Sequence, residues 1–490
     1  MRPFRSLRVR LGPVGLIALF AAVLVGHVVP SSWLVSSAWA EAGLSAPPAG
    51  PASPGPAVPV HPSTTHALGA TLPIGWITPF ALMLLSVAIL PLAAGRWWER
   101  LGSKTMVAAV LAAPVAGFFL ARQPHDLVLV AKDYVAFIAL LGSLFVIAGG
   151  ILIRGDLRAT PAVNTAFLAI GAVLANLIGT TGASMLLIRL VLETNSERKQ
   201  ISHVPIFFIF LVSNIGGCLT PLGDPPLFLG YLQGVPFSWT LSLFPEWAFM
   251  VISLLAIFYF VDLWAVRHET MAALRRDRER IRPLRITGAH NFIFLLGVLL
   301  TVLLVRAEMP RVLLMLAMGV ASYIATKREI HRGNHFSFYP ISEVAIVFAG
   351  IFVTMIPALL ILEARGASLG IDKPWQFFWL TGGLSSFLDN APTYLTFTRL
   401  ALGVSGLTPE PSAPLSVLVH HETGAALLRA IGLGAVFMGA STYIGNGPNF
   451  MVKAIVEHRK VRMPSFFGYM LWSVGILVPL FLLVTVIFLL

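Results

Sequence analysis

Two carboxylates stand in stretches that are otherwise apolar, each beside residues that break a helix. Asp389 lies in SSFLDNAPTYLTF (385–397) and Asp224 in CLTPLGDPPLFL (218–229). A carboxylate inside a membrane is expensive, so it is a functional candidate by default. Asp389 and Asn390, with the hydroxyls of Thr393 and Thr396, offer the hard oxygens that suit Na+, or a proton relay. The alternative for Asp389 is an N-cap on the helix that follows. Asp224 is framed by Gly223 and Pro225-Pro226. The prolines withhold N–H groups and leave carbonyls free, so Asn214, Thr220 and Asp224 could coordinate a cation or line its path. A kink packed against protein is the alternative.

Two further stretches lack a carboxylate but share the pattern. STYIGNGPNFMV (441–452) carries Ser441, Thr442, Gly445, Asn446 and Asn449, whose oxygens and amides suit coordination or interhelical packing. NLIGTTGASMLLIRL (176–190) carries Asn176, Thr180, Thr181 and Ser184, with the same two readings. Arg189 in that segment is expected to snorkel toward the cytoplasmic face, with anion holding as the alternative. Glu343, Asp262 and Arg429 are expected near span ends. His420-His421-Glu422 lacks the spacing that sets two imidazoles on one helix face, and reads as a polar external loop.

The elements that must position these residues are transmembrane. The chain is 57% hydrophobic and 11% charged, with a mean hydropathy of +0.83; a soluble domain carries roughly 25% charged residues. Apolar runs recur at about the 20 residues needed to cross a bilayer core. In lipid, broken helices survive only where protein or a water-filled cavity covers the freed backbone. A pair of breaks in each half is therefore the mark of a secondary transporter's binding site. The net charge of +12 comes largely from Lys and Arg in short loops between apolar runs, as orientation by positive charge requires; nucleic acid is not implied. One cysteine, Cys218, excludes an intramolecular disulfide and reads as a small packing residue. There is no Walker A motif, so ATP-driven transport by this chain alone is not expected; no compact catalytic constellation is found, so the chain reads as a non-enzyme, with no cofactor beyond transported or coupling Na+ and H+. A polytopic membrane enzyme is the third-ranked reading.

The domain plan is as follows. Residues 1–40 read as a signal peptide: a basic start, an apolar core at 15–26, and Ala38-Trp39-Ala40 before Glu41. Residues 41–72 are a Pro/Ala-rich periplasmic tether. Ten spans are expected, at 73–94, 105–121, 134–153, 203–234, 247–265, 289–306, 310–326, 341–362, 425–456 and 465–489. Re-entrant hairpins are expected near 160–192 and 375–400. The basic 266–287 segment divides a first repeat, 73–265, from a second, 288–490. If both hairpins return to the side they entered from, the loop charges place the N-terminus outside and the halves in opposite orientation. The fold class is thus an all-α polytopic membrane protein with an inverted-topology repeat. Leu222-Gly223-Asp224-Pro225-Pro226 overlays Ile444-Gly445-Asn446-Gly447-Pro448, and Leu174-Ala175-Asn176 overlays Leu388-Asp389-Asn390.

At these motifs the chain resembles the ion transporter superfamily of NhaD-like sodium/proton antiporters, ArsB-like exporters and citrate-transporter-like proteins. The resemblance covers about residues 73–490. It rests on IGTTGASMLLIR (178–189), NIGGCLTPLGDPP (214–226), LDNAPTYLTF (388–397) and GNGPN (445–449). It implies two hairpins facing each other near mid-membrane, each completed by a neighbouring broken helix. By motif, Asp389-Asn390 and Gly445-Asn446 form one pair, with Asp389, Asn390 and Asn446 as Na+ candidates. Asn176, Thr180-Thr181 and Gly223-Asp224 form the other. It also implies a bacterial-type inner membrane, Na+/H+ antiport first, and cation-coupled carriage of citrate or another carboxylate as the runner-up. The expected partners are lipid, inorganic cations and a small carboxylate, with a homodimer open.

Overall fold

The computed structural model describes residues 64–490, apart from 280, 408, 411 and 412. The signal peptide and all but the last residues of the tether lie outside the described residues. What is described is almost wholly helical, as an all-α polytopic membrane protein must be.

The main helices are α1 (Thr78–Ala93), α2 (Leu101–Arg122), α3 (Pro124–Gly149), α4 (Pro161–Thr194), α5 (His203–Leu211), α6 (Pro225–Leu232), α7 (Phe244–Arg267) and α8 (Met271–Glu279). They continue as α9 (Asn291–Leu304), α10 (Glu308–Ala325), α11 (Tyr339–Arg365), α12 (Pro374–Ser385), α13 (Asn390–Ser405), α14 (Glu422–Met438), α15 (Gly447–His458) and α16 (Phe466–Val484). Among the described residues, nine helical stretches are long and apolar enough to cross a membrane. Large apolar side chains such as Ile252, Phe260, Ile293, Ile324, Leu471 and Phe467 stand on the outer surface. That is where hydrocarbon, not water, would cover them.

The segments 203–234 and 425–456 are broken helices, as their Gly- and Pro-bearing motifs predict. α5 gives way to a 3-10 turn at Ile215–Leu219, then to extended backbone at Thr220 and Asp224, then to α6. α14 gives way to a 3-10 turn at Gly439–Ser441, extended Thr442 and Asn446, then α15. The glycines and prolines at both places cannot sustain the i→i−4 ladder. The expected span at 289–306 has 14 helical residues, Asn291–Leu304, about 21 Å of helix and short of a ~30 Å core. The basic linker is not plain coil. Its α8 is followed by β2 (Arg282–Thr287), which pairs antiparallel with β1 (Leu152–Asp156), Leu152 opposite Thr287.

The frame around the breaks is built by α2 on α11, α3 on α10 and α12 on α14. One buried apolar cluster runs through both halves, from Phe137 and Phe207 to Phe378 and Phe437. It packs the broken segments against intact helices.

Candidate functional site

The first break is in α4. Gly179 has φ +76° and ψ 155° inside an otherwise helical segment, a conformation that side chains with a Cβ rarely adopt. The next N–H, of Thr180, donates to the Gly223 carbonyl at 2.8 Å. The second break separates α12 from α13. Asp389 caps α13 there, its Oδ1 accepting from Ala391 N at 3.1 Å. Thr393 Oγ1 donates back to the Asp389 carbonyl at 2.9 Å, and Thr396 Oγ1 to Pro392 O at 2.8 Å.

Each break is fastened to its neighbouring broken helix by the same bonds. Asn176 Nδ2 donates to Ala172 O at 3.1 Å and to Gly216 O at 2.6 Å, and its main-chain oxygen accepts from Thr220 Oγ1 at 2.5 Å. Ser386 Oγ donates to Gly382 O at 2.8 Å and to Met438 O at 3.1 Å, and its main-chain oxygen accepts from Thr442 Oγ1. Thr442 Oγ1 also accepts from Gly445 N at 3.1 Å. The crossovers match as well. A Cβ on Gly223 would stand 2.1 Å from Gly217 O, and one on Gly445 would stand 2.6 Å from Gly439 O. Both turns close so tightly that only glycine fits.

This scheme corrects the overlay of Asn176 on Asn390. By its bonds Asn176 matches Ser386, one helical turn earlier, and Thr180 matches Asn390. Asp389 then stands opposite Gly179, not Ala175. The matching of Asp224 with Asn446 holds.

The two units meet at Asp224, which is 1% exposed. Its Oδ1 accepts from Thr180 Oγ1 at 2.9 Å and from Asn446 Nδ2 at 3.1 Å; its Oδ2 accepts from Asn390 Nδ2. One carboxylate thus gathers a group from each break and one from the opposite broken helix. Asn390 Oδ1 is buried and has no hydrogen bond. Asn446 Nδ2 also reaches Asn214 Oδ1 at 3.1 Å and Ser213 O at 3.2 Å. Asn214 Nδ2 donates to Asn449 Oδ1 at 2.7 Å, and Asn449 Nδ2 to Gly439 O at 2.8 Å and Thr442 O at 2.9 Å. Ser184 Oγ shares a hydrogen bond with Ser213 Oγ at 2.8 Å. A small cavity of about 70 Å³ reaches this centre between α3, α4 and α11; Thr180, Thr181, Gly223 and Asp224 line part of it. Ser441 ends its turn half-buried and is outside the cluster among the described residues. Buried Cys218 packs, as expected.

The remaining polar residues stand elsewhere. Asp262 is fully buried and bonded to Arg198 at 2.6 Å, His203 at 2.9 Å and Asn164 at 2.9 Å. Glu343 pairs with Lys104 at 2.9 Å, and Arg429 with Glu246 at 3.3 Å. His421 caps α14 through Gly424 N at 3.3 Å. Among the described residues no cluster of His, Cys, Asp and Glu could hold a metal ion. A polar chain not foreseen links α6 to α13. Gln233 Nε2 donates to Asp133 at 2.5 Å, Arg399 Nη2 donates to Gln233 Oε1 at 2.7 Å, and Arg399 Nη1 pairs with Glu363 at 3.1 Å. Arg399 in the apolar run LTFTRLAL, and Asp133 in α3, were legible as intramembrane charges. Ser213 and Ser386 carried no such signal.

A family described as "putative citrate transport" matches residues 69–489. The chain belongs to this family. The match takes in both breaks, both crossovers and the whole frame around them. Among curated proteins, none matches the sequence. The family member is thus a multi-pass membrane protein of the citrate-transporter-like kind, and its class is secondary transport.

Proposed function

We propose that this transporter exchanges Na+ for H+ at Asp224, with Asn390, Asn446 and Thr180 as its partners. The observation that carries the reading is the gathering of both breaks on one buried carboxylate. A carboxylate binds either a proton or a cation, and that competition couples the two ions. Hard cations favour carboxylate, carbonyl and amide oxygens. The Asn390 and Asn446 amides donate to the carboxylate; rotating either about its last bond would turn an oxygen toward a cation instead. The unbonded Asn390 Oδ1 supports such a role. Asp389, whose Oδ1 caps α13, contributes charge nearby and takes the secondary role.

Both breaks are read here as re-entrant hairpins, the halves as inverted repeats in a bacterial-type inner membrane, and the N-terminus as periplasmic. The shared bonding of Asn176 and Ser386 supports the repeat.

A second reading, cation-coupled carriage of citrate or a similar carboxylate, is favoured by the family's description. Proteoliposomes separate the two. Na+ added against a proton gradient should move protons without citrate present. A response that requires citrate or another carboxylate would replace the first reading by the second.

A further inference from the structure

A cavity of about 480 Å³ lies between the segment joining α4 to α5 and the segment joining α15 to α16. Five basic residues line it, Arg198, Lys199, Arg459, Lys460 and Arg462, against one acidic residue, Glu193. Two of the five are neutralised. Arg198 is paired with Asp262, and Arg459 with Glu193 at 3.1 Å. Lys199, Lys460 and Arg462 have no acidic partner among the described residues.

Glu269 Oε1 accepts from Lys199 N at 2.7 Å and Gln200 N at 2.6 Å, and so holds the first segment. Lys460 has φ +62°. It ends α15 with bonds from Lys460 N to Glu457 O and from Val461 N to Val456 O, at the position where glycine is the low-cost residue. Lys460 holds this costly conformation among the residues that line the cavity.

Another cation stands inside α4, outside the residues that line the cavity. Arg189 stands nine residues past Thr180, as Arg399 stands nine past Asn390. Arg399 is matched by Glu363 and Gln233. Arg189 has a buried Nη1 without a hydrogen bond, and its charged neighbour is another cation, Arg459.

We propose that this cavity binds a multiply charged phosphate, free or as a lipid headgroup, and through it ties α4 to α15. Forked guanidinium and flexible ammonium donors match phosphate oxygens. Basic pockets at the ends of transmembrane helices are where headgroup phosphates are met. Leu192, Ile201 and Val461 add apolar lining beside the charges. The tie bears on transport because both helices start at the centre, α4 past its break at Thr180 and α15 just past Asn446.

The test uses the purified full chain in neutral detergent, with thermal unfolding followed as pyrophosphate is added. A parallel arm compares phosphatidylcholine nanodiscs with and without cardiolipin. The proposal expects a rise in unfolding temperature with pyrophosphate, with cardiolipin, or with both; pyrophosphate marks a soluble ligand, cardiolipin alone a headgroup. The variant Lys199→Gln/Arg462→Gln should bind about tenfold weaker or worse. Lys460→Gly should do likewise while relieving the turn, so that lost binding is not lost folding. No shift with either probe, an equal shift in the variants, or a shift with citrate alone would overturn it.

Discussion

Arg399 donates to Gln233 at 2.7 Å, and Asn390 donates to Asp224; each pair is 166 residues apart. α6 and α13 therefore run side by side in register, joined at both ends of α6. One end is the central carboxylate. The other, roughly 13 Å along the helices, is the chain of Asp133, Gln233, Arg399 and Glu363. From the same centre α4 and α15 run from Thr180 and Asn446 to the Glu193–Arg459 pair.

Asp224→Asn should reduce ion exchange in proteoliposomes to background, since the amide keeps size and hydrogen bonding but neither charge nor proton. Asp389→Asn should retain a measurable fraction, because an amide oxygen can still cap α13. Equal loss in both variants would return Asp389 to the first rank.

Arg399→Ala should destabilise the protein by about 2–4 kcal/mol, because it leaves half-buried Glu363 without its cation. Thermal unfolding in detergent checks this. Adding Glu363→Gln should recover part of the loss, as non-additivity between paired residues requires.

Asn176→Ala should cost about 2–3 kcal/mol, and Ser386→Ala about 1–2 kcal/mol. The alanine at 176 strands Leu219 N, whose acceptor is Asn176 Oδ1 at 2.8 Å, and leaves Gly216 O with the Trp247 Nε1 donor at 3.1 Å as its remaining partner. The alanine at 386 removes one hydroxyl whose acceptor at Gly382 already serves the helix. The two variants compared by denaturation give the ranking; the reverse order would contradict it.

Asp156, on β1, is pushed up to about 6, first by burial and then by Glu197, Asp277 and Glu193. Its folded state holds a proton that the unfolded chain releases near pH 4. Stability therefore falls as pH rises from about 4 to about 6. Asp156→Asn should flatten that slope and leave the protein slightly more stable at pH 7, by a few tenths of a kcal/mol. Unfolding temperature against pH for both proteins is the measurement.

The class, and the places where helices break, follow from local residue chemistry. Apolar runs near 20 residues have few stable solutions other than membrane helices, and Gly179, Gly223 and the Pro225-Pro226 pair interrupt a helix wherever it folds. The sequence also pointed to Asp224 and Asn446 as counterparts, since Gly-Asp-Pro and Gly-Asn-Gly-Pro keep their local geometry. Tertiary structure alone decided which carboxylate is central. Asp224 and Asp389 are both acids beside a break; only packing sets Thr180, Asn390 and Asn446 around the first and leaves the second to cap its own helix. The register of Asn176 against Ser386 was hidden for the same reason. An amide and a hydroxyl share no letter, yet each reaches a carbonyl one turn back and a carbonyl across the interface. Bonds between segments 166 residues apart depend on where rigid helices come to lie, and short motifs hold no record of that.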